Sequence, residues 1–162
     1  MAFCYNPPMP ETKHLAKEKF TMRVAANLIL IKDGKALLLR RFNTGWKDGQ
    51  YCTVAGHVDG RETIANAAVR EAKEEAGIDV REEDLRVVHT QHRICDGYEF
   101  IDFSIQAEKW SGEPINLEPN KCDDLSWYPL DNLPANTIPY IRTVFENIQK
   151  GIPFSEWREQ GV

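Results

Sequence analysis

Three glutamates, Glu71, Glu74 and Glu75, stand at spacings i, i+3 and i+4 in the stretch Gly56 to Ile78, GHVDGRETIANAAVREAKEEAGI. On a helix this spacing puts the three carboxylates on one face. Like charges placed so repel by roughly 0.2–0.5 kcal/mol per pair. They also fall in the last turn before Gly77, where the helix dipole disfavours negative charge by about 0.3–1 kcal/mol each. A helix shaped by stability alone would carry Lys or Arg there. The pattern calls for a cationic partner, and a hard divalent metal held by oxygen donors is the chemistry that fits.

The elements that must hold these carboxylates are legible around them. The helix is expected to start near Glu62 or Thr63, with Thr63 as N-cap and Gly77 as the C-cap glycine. One face carries Ala65, Ala68, Val69, Ala72 and Ala76, small enough to lie close on a sheet, and the acidic face is expected to look away from that sheet. Val24 to Ile31 and Ala36 to Leu39 read as strands joined by the Asp33-Gly34 turn. Tyr51 to Ala55 reads as a short strand entering the acidic stretch. Between them, Arg40 to Gln50 reads as a loop. Its Arg40, Arg41, Phe42 and Trp46 are candidates to meet a phosphate or a base, with Trp46 also suited to packing as a lid.

Downstream, Leu85 to His92 and Glu99 to Ala107 read as strands flanking a Cys95-Asp96-Gly97 turn, and Leu125 to Tyr128 as a last short strand. Tyr140 to Lys150 reads as a helix with a core stripe of Ile141, Val144, Phe145 and Ile148, stopped by Gly151. Phe154 and Trp157 in the tail are expected to dock locally. His57 reads as a loop residue, and His89 and His92 as structural histidines. Asp96, Glu99 and Asp102 read as surface carboxylates unless their strand end faces the site.

At 162 residues, a single domain is expected over 21–162, preceded by an extension at 1–20. The net charge of −5, with no basic block, argues against a polymeric nucleic-acid partner. It leaves small anionic substrates open, because bound metal reverses the local sign. Cys4, Cys52, Cys95 and Cys122 form no C-x-x-C pair, which argues against structural zinc. Free thiols in a reducing compartment are expected. No apolar leader and no apolar run near 18 residues is present, so a cytoplasmic protein without a membrane span is expected.

Gly56, Glu62, Arg70, Glu71, Glu74, Glu75, Gly77 and Ile78 fit the pattern G-x5-E-x7-R-E-U-x-E-E-x-G-U, where U is a bulky apolar residue and Ala72 is a small departure from it. In this the sequence resembles the Nudix hydrolases. The segments 108–114 and 133–136 are similar to the MutT branch, which hydrolyses oxidised guanine nucleoside triphosphates. The resemblance implies an α/β fold, an α/β/α sandwich with a mixed, curved β-sheet between helices. It implies magnesium, or manganese in its place, on Glu71, Glu74 and Glu75, with Glu118 and the carbonyl of Ala55 as further ligands. It implies that Arg70 orients the glutamates and that Glu62, Gly56 and Gly77 support them. Glu71 and Glu118 are the two candidate bases, and Asn136 falls where the MutT branch reads a purine edge. Ala55 and Arg61 depart from the pattern at positions where many members have glycine.

The leading functional expectation is hydrolysis of a (d)NTP, oxidised purines included, to NMP and pyrophosphate. Alternatives are hydrolysis of ADP-ribose, a nucleotide sugar or a dinucleoside polyphosphate, and a non-catalytic nucleotide sensor. The ADP-ribose group usually carries a Pro shortly after the pattern, and residues 88–97 contain none. The expected partner is a small nucleotide, and the expected assembly a monomer or homodimer.

Overall fold

The computed structural model describes residues 20–159. The extension expected at 1–20 thus falls almost wholly outside the described residues, as does Cys4. Strand β1 (Arg23–Ile29) breaks at Leu30 before β2 (Ile31–Lys32), where one continuous strand was expected. An Asp33-Gly34 turn leads into β3 (Lys35–Arg41), which pairs antiparallel with β2. After the loop come β4 (Tyr51–Cys52), β5 (Val54–His57) and helix α1 (Ile64–Ala76). Strands β6 (Leu85–Cys95) and β7 (Tyr98–Ala107) form a long hairpin about Asp96-Gly97. Then follow β8 (Cys122–Pro129), helix α2 (Pro139–Gln149) and β9 (Phe154–Arg158).

The strands form two sheets. The first has the order β5-β1-β7-β6-β9, and the second is built on β3, with β2, β4 and β8 around it. In the first, β1 runs parallel to β7 and antiparallel to β5. The first sheet is mixed and the second antiparallel, and α1 packs on β1, β5 and β7 while α2 packs on β6, which makes the α/β/α sandwich. The strand β9, expected only as a locally docked tail, lies parallel to β6 at the sheet edge. Its alternation of exposed Phe154 and Glu156 with half-buried Ser155 and Trp157 is the period-two pattern of a one-sided strand.

The core joins Leu28, Ile29, Leu30, Leu38, Val54, Ile105 and Ile138 to Ile78 and Phe145. Burying each such large side chain contributes about 1.5–3 kcal/mol. Asp124 ties the second sheet together by accepting from the hydroxyls of Tyr51 at 2.7 Å and Tyr128 at 2.6 Å. Cys52, Cys95 and Cys122 are free, buried thiols. Among the described residues no helix is long and apolar enough to cross a membrane.

Helix α1 begins as expected. The Thr63 hydroxyl accepts from the Asn66 amide at 3.1 Å, and Gly77 closes the helix in the left-handed region at φ 67°. Its buried face differs from the expectation. Ala67, Ala68, Glu71, Ala72 and Ala76 are buried, whereas Ala65 and Val69 are only half-buried. The acidic face therefore does not look away from the sheet. The small alanines bring the helix so close to β5 that Glu71 turns inward.

Candidate active site

The carboxylates meet on one side of β5. Glu71 is only 8% exposed, Glu75 is half-buried and Glu74 is exposed. Gly56 explains how Glu71 fits. A Cβ added there would lie 1.7 Å from Glu71 Oε1 and 2.2 Å from its Cδ, so only glycine lets the carboxylate lie against the strand. Glu75 Oε2 accepts from the backbone amide of Ala55 at 3.0 Å. This bond fixes one oxygen of Glu75 against the strand.

Arg70 binds three of the glutamates at once. Its guanidinium donates to Glu62 at 2.9 and 3.2 Å, to Glu71 at 2.5 Å, to Glu74 at 3.2 Å and to the His57 carbonyl at 3.1 Å. Glu62 also accepts from the Asp59 amide at 3.0 Å. These bonds, that to Glu62 above all, raise the Arg70 pKa, and the same pair lowers that of Glu62. Burial pushes Glu71 up against the opposing pull of Arg70. Burial also pushes Glu75 up to about 8, helped by the neighbouring charges of Glu71 and Glu118.

A cavity of about 320 Å³ opens between Glu71, Glu74, Glu75 and Glu118, with Arg41 and Lys121 on its walls. Glu118 is held by Lys121 Nζ at 2.6 Å. Among the described residues no three acidic side chains converge into a preassembled metal cage. Arg70, the Ala55 amide and Lys121 each hold one oxygen of these carboxylates and leave the other without a hydrogen bond among the described residues. The donor set still suits a divalent metal. It is all oxygen, as hard cations require, and burial disfavours the ionised Glu71 and Glu75 until a further positive charge arrives.

A second cavity, of about 360 Å³, adjoins the first, and the two share Leu39, Arg41, Ala55, Gly56 and Glu75. Its walls are aromatic: Trp46, Tyr98, Phe100 and Tyr140. Arg93, 4% exposed, and Asp102, 2% exposed, pair on the floor at 2.5 and 3.1 Å. Asp102 raises the Arg93 pKa although burial works against it. The Arg93 guanidinium lies 3.9 Å from the Phe100 ring and 4.3 Å from that of Tyr140. Trp46 Nε1 donates to Asp96 Oδ2 at 2.8 Å, joining the loop after β3 to the β6–β7 turn beside this cavity.

The residues singled out in the sequence divide between these places. Glu71, Glu74, Glu75, Glu118, Ala55 and Gly56 line the first cavity, with Arg70 and Glu62 behind it. Arg41 stands at the junction, donating to the Trp46 carbonyl at 2.8 Å and the Thr44 hydroxyl at 3.0 Å. Trp46, Asp96 and Asp102 line the second cavity, whereas Glu99 turns to His92 at 3.1 Å. Arg40 is taken up by Asp123 at 2.7 Å. Asn136 donates to the Gly49 carbonyl at 2.6 Å and lines neither cavity. Lys121, Arg93 and Asn27 escaped the sequence reading. Only Asn27 carried a signal, as a polar residue inside the apolar run VAANLILI.

A family model described as NUDIX domain matches residues 21–148. Among curated proteins, the chain is 32% identical over 111 residues to the NAD-capped RNA hydrolase NudC of Stutzerimonas stutzeri (strain A1501), covering 67% of this chain and 37% of that protein. It is 30% identical over 139 residues to the protein of the same name from Citrobacter koseri (strain ATCC BAA-895 / CDC 4225-83 / SGSC4696), covering 82% of this chain and 52% of the relative. The chain thus spans about half the length of these curated relatives, or less. Among solved structures it is similar to a MutT NUDIX hydrolase from Burkholderia pseudomallei, with a TM-score of 0.72 and 28% identity over 78% of this chain and 98% of that one.

Proposed function

The chain belongs to the Nudix hydrolase family, and from that premise we propose that it hydrolyses a phosphoanhydride bond in a small nucleoside-diphosphate-linked substrate, a (d)NTP giving NMP and pyrophosphate. The observation that carries this reading is the junction of the two cavities at Arg41 and Glu75. A diphosphate on the carboxylate face leaves its nucleoside beside the aromatic walls.

Glu71, Glu74, Glu75 and Glu118 would hold magnesium, with manganese as a substitute. When bound, the metal neutralises the diphosphate charge and acidifies the attacking water. The chain's own residues do the rest. Arg41 offers its guanidinium to the phosphates at the seam between the cavities. Arg70 fixes the directions of Glu62, Glu71 and Glu74. Glu71 or Glu118 would take the proton as the water oxygen bonds to phosphorus and the anhydride P–O bond breaks, a contribution of typically about 10²–10⁴-fold.

The names of the curated relatives favour a second reading, a dinucleotide of the NAD class, free or capping an RNA. The net charge of −5 supports the free small molecule over the polymer.

The test is a panel of nucleoside triphosphates, ADP-ribose and NAD with magnesium, with products separated by chromatography. Monophosphate plus pyrophosphate is expected. AMP plus nicotinamide mononucleotide from NAD, in preference to every triphosphate, would replace the first reading by the second. Absence of turnover throughout the panel would reject both.

A further inference from the structure

Strand β1 is apolar apart from one side chain in its interior. Asn27 is 7% exposed, lines the aromatic cavity, and makes no side-chain hydrogen bond among the described residues. Asn is disfavoured in strands, and burying a primary amide without partners costs free energy that a Val or Ile in its place would not. Asn27 is nevertheless part of the cavity wall. It is buried in the protein yet reachable from the cavity.

The surroundings of Asn27 are otherwise settled. Asp102 and Arg93 satisfy one another. Asp96 is held by Trp46. Asn27 also has a fixed relation to the carboxylates. It pairs across the sheet with Ala55, whose amide holds Glu75, and adjacent strands lie about 4.8 Å apart. A nucleotide with its phosphates on the carboxylate face can extend its base into the adjoining cavity that Asn27 lines.

We propose that Asn27 is the specificity-determining residue of the aromatic cavity, its amide pairing with adjacent donor and acceptor atoms on the edge of a purine base. The inference rests on the nucleotide reading above. The amide oxygen accepts a base N–H, and the amide NH₂ donates to a ring nitrogen or carbonyl. Adenine offers such a pair through its amino group and a ring nitrogen, and guanine through N1–H and O6. The aromatic walls stack on the base faces, and a volume of about 360 Å³ suits the two-ring bases.

The test uses equilibrium binding rather than turnover. Dissociation constants of AMP, GMP, CMP and UMP are measured with excess magnesium on the wild type, Asn27→Asp and Asn27→Leu, with melting temperatures as a control on folding. Aspartate only accepts, which matches the two neighbouring donors of guanine, N1–H and N2–H. The expected result is a shift of the AMP-to-GMP affinity ratio toward GMP by about tenfold or more in Asn27→Asp, and a loss of discrimination in Asn27→Leu. A ratio within twofold of wild type in folded Asn27→Asp would overturn the proposal, since a purely structural Asn27 moves stability and not base preference. Tighter wild-type binding of CMP or UMP than of both purines would overturn it, as would failure to bind any of the four. Failure of the hydrolysis reading shows separately, as absence of turnover in the substrate panel.

Discussion

Raising the pH in a chelating buffer should destabilise the metal-free protein through Glu75. The ordinary carboxyl value is 4.5, and burial holds Glu75 at about 8 in the folded chain. Between those values the folded state keeps a proton that the unfolded state has lost. Stability therefore falls as pH rises, by up to about 1.4 kcal/mol per unit for one group. Below the unfolded value both states are protonated and the slope vanishes. Above about pH 8 both are ionised and the whole penalty is present. Glu71, also raised by burial, acts in the same direction. For a chain of this size 1 kcal/mol corresponds to roughly 2–4 °C, so the melting temperature should drop by about 3–6 °C per pH unit. The assay is thermal unfolding from about pH 5 to about 8 with EDTA, on wild type and Glu75→Gln. Glutamine keeps the size and cannot ionise, so the difference between the two isolates Glu75 from every other ionisable group. The variant should be the more stable of the two at pH 8 without metal, and magnesium should restore the wild type more than the variant. Equal slopes in the two proteins, or a wild-type melting temperature that holds or rises across this range, would refute the reasoning.

Two further perturbations follow from backbone geometry. Gly56→Ala drives a Cβ to 1.7 Å from Glu71 Oε1, so Glu71 must swing off Arg70. A loss of about 1–3 kcal/mol, read by thermal unfolding, should accompany a much larger fall in turnover measured well below the melting temperature, and wild-type values of both would contradict the packing described for Glu71. Arg61 sits at φ +75°, where an L-residue costs roughly 1–2 kcal/mol. Arg61→Gly relieves that strain against about 0.4–1 kcal/mol of added unfolded-state entropy. A small rise in melting temperature is expected, and a fall would show that the Arg61 side chain stabilises its turn.

The carboxylate face was legible because its signals are local. The spacing of Glu71, Glu74 and Glu75, the cap Thr63 and the stop Gly77 all act within a helix of 13 residues. The hairpin turns Asp33-Gly34 and Asp96-Gly97 carried their own chemistry too. What the sequence hid depends on contacts between distant strands. That Glu71 is buried follows from how closely α1 approaches β5, which no periodicity specifies. Arg93 and Asp102 lie nine positions apart on separate strands, and only the β6–β7 register makes them a buried pair. The strand β9 is short and finds its partner 64 residues earlier, from Thr90 to Phe154. Asn136 was placed by likeness to the MutT branch, and no local signal in the sequence shows that its side chain donates to the Gly49 carbonyl.

The parallel pairing of β1 with β7 sets an order of assembly on the ribosome. Strand β7 leaves the exit tunnel about 70 residues after β1, which at about 5–20 residues per second is a wait of roughly 4–14 s. During that interval β1 has β5 and α1 for company but keeps one open, apolar edge. Ala55, Glu62, Arg70 and the three helix glutamates all emerge before residue 76, so the charged half of the site can assemble early in translation. Arg93 and Asp102 emerge later, and with them the floor against which a base would lie. Variants that weaken the β1–β7 seam should therefore reveal themselves first as losses during synthesis, in soluble yield, rather than in the behaviour of the finished protein.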